Sequence, residues 1–161
     1  MRQQTFGAES RSQTITEQAE LDLVVPITTP DLTRAALSAA SQMGAGLGAA
    51  VRLVKIQCVP YPLDLDQSPV YLEFLRQQMN SFQSGLPLAG EIHLAREFEQ
   101  GLESTLQTNS VVVLASRKRP WQTRYERLAA SLQRNGRRVI LLKEQTPEGS
   151  NERHHYAQYH S

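Results

Sequence analysis

Val111-Val112-Val113-Leu114-Ala115, running straight into Ser116-Arg117-Lys118-Arg119-Pro120, is an unbroken apolar run closed by three cations and a proline. Apolar side chains at both alternating phases suit a parallel strand covered by helices on its two faces, where no side of the strand meets water. The segments on either side alternate in type. Downstream, Trp121, Tyr125, Leu128, Ala129 and Leu132 recur at helical spacing and Asn135-Gly136 stops them, so a helix is expected there. Val139-Ile140-Leu141-Leu142 then reads as a last strand.

Upstream the same alternation holds. Phe98, Leu102 and Leu106 stand at i, i+4 and i+8, the spacing of one helical face, while Glu91-Ile92-His93-Leu94-Ala95 alternates as a half-exposed edge strand does. Ser68-Pro69 opens a further helix, with Tyr71, Phe74, Leu75, Gln78 and Phe82 as its stripe and Gly85 as its stop. Val51 to Val59 is rich in β-branched residues and predicts a strand. Before it, Thr29-Pro30-Asp31 supplies a cap hydroxyl, a first-turn proline and an acid for a helix along Leu32, Ala35, Ala36, Ala39, Ala40, Met43 and Leu47, ended by Gly44, Gly46 and Gly48. Leu21 to Pro26 is the opening strand. Five strands and four helices in strict alternation imply an α/β fold with a single doubly wound, mainly parallel sheet and right-handed crossovers.

The composition of the 161 residues is that of a globular domain: 40% hydrophobic and 20% charged, with a net charge of +1. Near-neutrality argues against a chain wholly devoted to polyanions. A single cysteine, Cys58, excludes an internal disulfide and a cysteine zinc site, and is expected to be a small buried hydrophobe at the end of the second strand. No apolar run approaches the ~20 residues of a membrane span, and Met1-Arg2-Gln3-Gln4 opens without a secretory core, so a cytoplasmic location and no membrane contact are expected. Residues 1–20 and 144–161 are polar; they are expected to be a flexible arm and a flexible tail around a domain at 21–143.

In its order of elements the chain resembles the universal stress protein family over roughly residues 21–143. The likeness rests on Val24-Val25-Pro26 before a capped, Ala-rich helix, on Val113-Leu114-Ala115-Ser116 before another helix, and on the closing Arg138-Val139-Ile140-Leu141-Leu142. It implies strand order 3-2-1-4-5, a role in a stress response and a homodimer formed through the last strand, with Val139, Ile140, Leu141 and Leu142 as the interface. ATP-binding members carry an acid at the end of the first strand and the signature Gly-x-x-Gly-x9-Gly-Ser/Thr after the fourth. Here Thr28 stands at the acid position, and Ala115, Lys118, Leu128 and Ala129 at the signature positions. A glycine replaced by a side chain blocks close approach of backbone N–H groups to phosphate. No ATP and no other cofactor is therefore expected.

What replaces the glycines is informative. In an open α/β sheet, ligands bind beyond the carboxyl ends of the strands where strand order reverses, here between the first and fourth strands if the order follows the resemblance. Thr28, Thr29 and Asp31 would then face Ser116, Arg117, Lys118 and Arg119, with helix N-termini near Thr29 and Pro120 adding positive dipole ends. A small anionic ligand, a nucleotide held by this rebuilt site, or an acidic protein is the expected partner class, against the plain alternative of a solvated basic loop. From Arg117 to Arg138 eight basic residues face one acid, Glu126. Nucleic acid is nevertheless not expected, because Trp121 and Tyr125 are in register with Leu128 and Leu132 and read as core.

No residue set assembles a nucleophile, a base and an orienting group, so no catalytic residues, no metal ligands and no enzymatic activity are expected. His93 reads as solvent-facing. Ser38, Ser41 and Ser131 lie in helices, Asp64 and Asp66 in a loop, and His154, His155 and His160 in the polar tail.

Overall fold

A computed structural model describes residues 20–65, 72–83 and 88–145. The elements are β1 (Asp22–Pro26), α1 (Pro30–Leu47), β2 (Ala50–Cys58), α2 (Leu72–Gln83), β3 (Ala89–Ala95), α3 (Phe98–Thr105), β4 (Ser110–Arg117), α4 (Arg124–Arg134) and β5 (Arg138–Glu144). All four strand pairings are parallel, in the order β3-β2-β1-β4-β5. The expected doubly wound sheet is thus what the chain forms. The arm and the tail lie outside the described residues, apart from Glu20, Glu144 and Gln145.

The core divides into two layers by strand phase. On one face Leu23, Val25, Leu53, Val113 and Ala115 pack against Leu32, Ala36, Leu37 and Ala40 of α1 and Met79 and Phe82 of α2. On the other, Val24, Val54, Ile56, Val112 and Leu114 pack against Leu102 of α3 and Leu128, Ala129 and Leu132 of α4. β4 is buried at every position from Ser110 to Ser116, as its double-phase apolar run requires.

Helix ends depart from the expected details. Thr29 occupies the α1 N-cap without a side-chain cap bond; the backbone N–H of Thr28 instead donates to Thr33 Oγ1 at 2.9 Å. Of the three glycines, Gly48 is the terminator, at φ 63°, whereas Gly44 lies inside the helix. In α2 the buried line is Leu75, Met79 and Phe82, and Phe74 is exposed, because a helix resting on a sheet edge buries only a narrow stripe.

The largest correction concerns α4. It starts at Arg124, not near Pro120, with Thr123 and Glu126 forming a reciprocal capping box. Trp121 therefore precedes the helix and is 61% exposed, so it is no core residue. Thr123→Ala removes one half of that box and is expected to lower stability by about 1 kcal/mol, read as a lower urea midpoint with an unchanged m value.

Candidate functional site: the crevice between β1 and β4

β1 and β4 are in register only over Asp22↔Ser110, Leu23↔Val111 and Val24↔Val112. β4 continues to Arg117 alongside β5, so the two central strands part toward their carboxyl ends. Right-handed crossovers place α1 and α2 on one face and α3 and α4 on the other, which leaves this parting uncovered from above.

A notch of about 230 Å³ opens there. Thr29, Asp31 and Leu32 line it from the start of α1, and Arg117, Arg119, Thr123, Arg124 and Tyr125 from the β4–α4 side. The sequence-expected opposition of the two loops is real: Arg117 Nη2 pairs with Asp31 Oδ2 across the crevice. An ion pair this open to water contributes only about 0.2–1 kcal/mol. Its larger effect is to neutralise Arg117 and to hold the two loops together. Arg119 lies over the Trp121 ring at 5.5 Å and Arg124 over the Phe98 ring at 6.0 Å. Among the described residues, neither guanidinium has a carboxylate within ion-pair distance.

Four of the seven expected residues thus meet: Thr29, Asp31, Arg117 and Arg119. Three do not line the notch. Thr28 is tied to Thr33 in the first turn of α1. Lys118 continues the sheet, its backbone N–H donating to the Glu144 carbonyl at 2.8 Å. Ser116 is fully buried, and its Oγ has no hydrogen-bond partner among the described residues. A hydroxyl that gains nothing from burial is a net cost. Ser116→Ala is accordingly expected to leave the melting temperature unchanged or raise it by a degree or two, a result that a hydroxyl needed for packing would contradict.

No family model and no curated protein sequence matches the chain. Solved structures do match. The universal stress protein UspA from Lactobacillus plantarum superposes with a TM-score of 0.53 at 16% identity, over 77% of this chain and 99% of that one. The universal stress protein from Archaeoglobus fulgidus gives 0.51 at 17%, over 76% and 93%. The chain has the universal stress protein fold. A universal stress protein solved in complex with cAMP matches at 0.50 and 16%, over 77% and 97%. At this identity the likeness establishes the UspA-like fold, strand order included, and the crevice between β1 and β4 is the place where that fold's strand order reverses.

The remaining candidates of this UspA-like chain are scattered. Cys58 is exposed, not buried, because it ends β2 at the edge of the helical cover. His93 is half-buried and its Nε2 lies 3.1 Å from Glu91 Oε2, so it does not simply face solvent. Ser131 donates to Glu99, and Ser38 accepts from Gln42 at 3.3 Å. Among the described residues no three of His, Cys, Asp and Glu converge as a metal cage, and no helix is long and apolar enough to cross a membrane. Asp66 and the tail histidines lie outside the described residues.

One cluster was not anticipated. At the amino ends of the strands, Arg52 on β2 donates to both oxygens of Asp22 on β1 (3.2 and 2.7 Å), to Glu91 on β3 (2.9 Å) and to the Thr105 carbonyl (2.9 Å). Ser110 on β4 donates to Asp22 Oδ2 at 2.6 Å. Burial alone would raise the Asp22 carboxyl, but the hydrogen bonds from Arg52 and Ser110 and the Arg52 charge outweigh it and hold the group below the ordinary carboxylate range. The signal was a lone acid inside the apolar run Leu21 to Val25. This cluster lies at the end of the sheet opposite the crevice and binds strand to strand.

Proposed function

We propose that this chain is a non-catalytic, ligand-sensing regulatory domain that acts as a homodimer and has lost the glycine-loop mode of ATP binding. The observation that carries the reading is the Arg117–Asp31 pair. It bridges an open notch of about 230 Å³, below the roughly 300–1,000 Å³ of ordinary small-molecule sites, with cationic side chains where a phosphate-cradling loop would need bare backbone. That a neighbour in fold was solved in complex with cAMP supports sensing of a small ligand. The favoured ligand is an anion of phosphate size, taken by Arg119 and Arg124, and this is also how a rebuilt nucleotide site would begin.

The dimer reading rests on β5. Val139, Ile140, Leu141 and Leu142 are half-buried at both phases, on a strand that pairs with β4 alone in the described sheet. An edge of that kind invites pairing with a second copy about a two-fold axis.

Titration calorimetry with ATP and Mg²⁺ tests the first part: no binding is expected up to millimolar nucleotide, and tight Mg²⁺-dependent binding would refute the loss of the site. Light scattering tests the second. The protein is expected to run as a dimer at tens of micromolar and Ile140→Lys as a monomer or aggregate; a wild-type monomer would refute the edge pairing.

A further inference from the structure

We propose that the outer face of α4, from Arg119 and Trp121 to Arg134, binds single-stranded nucleic acid without sequence preference. The sequence argues against nucleic acid because Trp121 and Tyr125 both read as core. Tyr125 does pack against the core, but Trp121 stands ahead of the helix, 61% exposed. The Arg119 guanidinium lies 5.5 Å from its ring centroid. An exposed indole beside a cation is a platform on which a base of any identity can stack while its phosphate meets the charge.

The cations continue along the helix. Arg124, Arg127 and Arg134 stand at i, i+3 and i+10 of α4, so they share one face over about 15 Å. They line a groove of about 450 Å³ between α3 and α4 together with Phe98, Glu99 and Ser131. Among the described residues none of the four arginines has an ion-pair partner, while the nearby acid Glu126 is already taken by Lys143 and by the Thr123 cap. Unpaired guanidinium groups in a row complement a chain of phosphates, and the stacking ring at one end selects a strand with exposed bases over a duplex. Glu97 and Glu99 share the groove and lower its potential. Affinity is therefore modest and steeply salt-dependent. The strip shares Arg119 and Arg124 with the notch but requires nothing bound inside it.

The chain contains one tryptophan, so its fluorescence reports on Trp121 alone. The test titrates the full chain into fluorescein-labelled oligo-U and oligo-dT of about 15 nucleotides, a length that spans the usual site sizes, following both anisotropy and tryptophan quenching. Quenching should saturate along the same isotherm as anisotropy. Neutralising about four phosphates predicts that log K falls with log salt at a slope of about −3. Trp121→Ala should weaken binding about tenfold, and the double variant Arg127→Glu/Arg134→Glu more than that. Both alter exposed side chains, and unchanged melting temperatures would show that the loss is one of binding.

Absence of an anisotropy change at low salt and tens of micromolar protein overturns the proposal. So does a duplex of equal length binding more tightly than the single strand. Binding that leaves the tryptophan unquenched, with poly-glutamate competing as well as the oligonucleotide, also overturns it and makes the face a dock for acidic protein.

Discussion

Arg52→Ala is expected to lower the free energy of unfolding by about 3–5 kcal/mol, the scale for removing one member of a buried ion pair. The guanidinium has only 13% of its side-chain surface exposed and satisfies Asp22, Glu91 and the Thr105 carbonyl at once. Its loss strands a carboxylate that is itself nine-tenths buried. Asp22→Leu/Arg52→Met, which removes both charges, should recover much of the deficit, because an apolar pair of similar volume avoids the desolvation cost. The pH dependence has a definite sign. In the native protein the Asp22 carboxyl is held below its ordinary range, so its stabilising contribution is complete above the unfolded value of about 3.9 and disappears as pH falls through the lower folded value. In Arg52→Ala, burial loses its main opponent and pushes that carboxyl upward. The gap between variant and wild type should then narrow on acidification from pH 7 to 4. Chemical denaturation at both pH values measures it, and a gap independent of pH would mean that the loss is one of packing.

Gly101→Ala is expected to cost about 1–3 kcal/mol, the usual range for overfilling a packed core. This is so although alanine favours the helical backbone by about 1 kcal/mol. A Cβ at this position would sit 2.6 Å from Ala95 Cβ and 2.8 Å from Ile56 Cγ2. Ala95 Cβ is fixed to the backbone of β3, so α3 itself must lift from the sheet. Gly46 supplies the control. It also lies in a helix, α1, but an added Cβ would meet nothing within 4 Å, so Gly46→Ala should gain about 0.5–1 kcal/mol. Opposite signs for the same chemical change would separate contact from propensity. A Gly101→Ala variant as stable as wild type would show that α3 can retreat freely.

The alternation of strands and helices is legible because buried parallel strands must be apolar at both phases, which Val111 to Ala115 is. The opposition of Asp31 and Arg117, 86 residues apart in the chain, follows once strand order is granted. What periodicity cannot supply is where a helical backbone begins. The 3.6-residue stripe through Tyr125 and Leu128 extends back to Trp121 as easily as not, and only the Thr-x-x-Glu pattern at Thr123 and Glu126 marks the true start. Both signals stand in the sequence, and the cap, not the stripe, sets the start. Arg52 and Asp22 meet across 30 residues through the β1–β2 register, and nothing local to either residue announces the other. Cys58 departs from its expected burial for a related reason: a strand's last residue can outrun the helices that cover its middle.

The short register between β1 and β4 divides the sheet into two leaves. One is β3-β2-β1; the other is β4-β5, riveted along its own length from Val111↔Arg138 to Arg117↔Glu144. The leaves are in register over three residue pairs at their amino ends, where the Ser110–Asp22 bond adds a side-chain tie. The Arg117–Asp31 pair is the clasp at the free ends. Anything that competes for Arg117 undoes the clasp, while Val113 and Ala115 of β4 stay packed with Val25 of β1 beneath α1, so it is the rim of the crevice and not the outer margin of the sheet that yields.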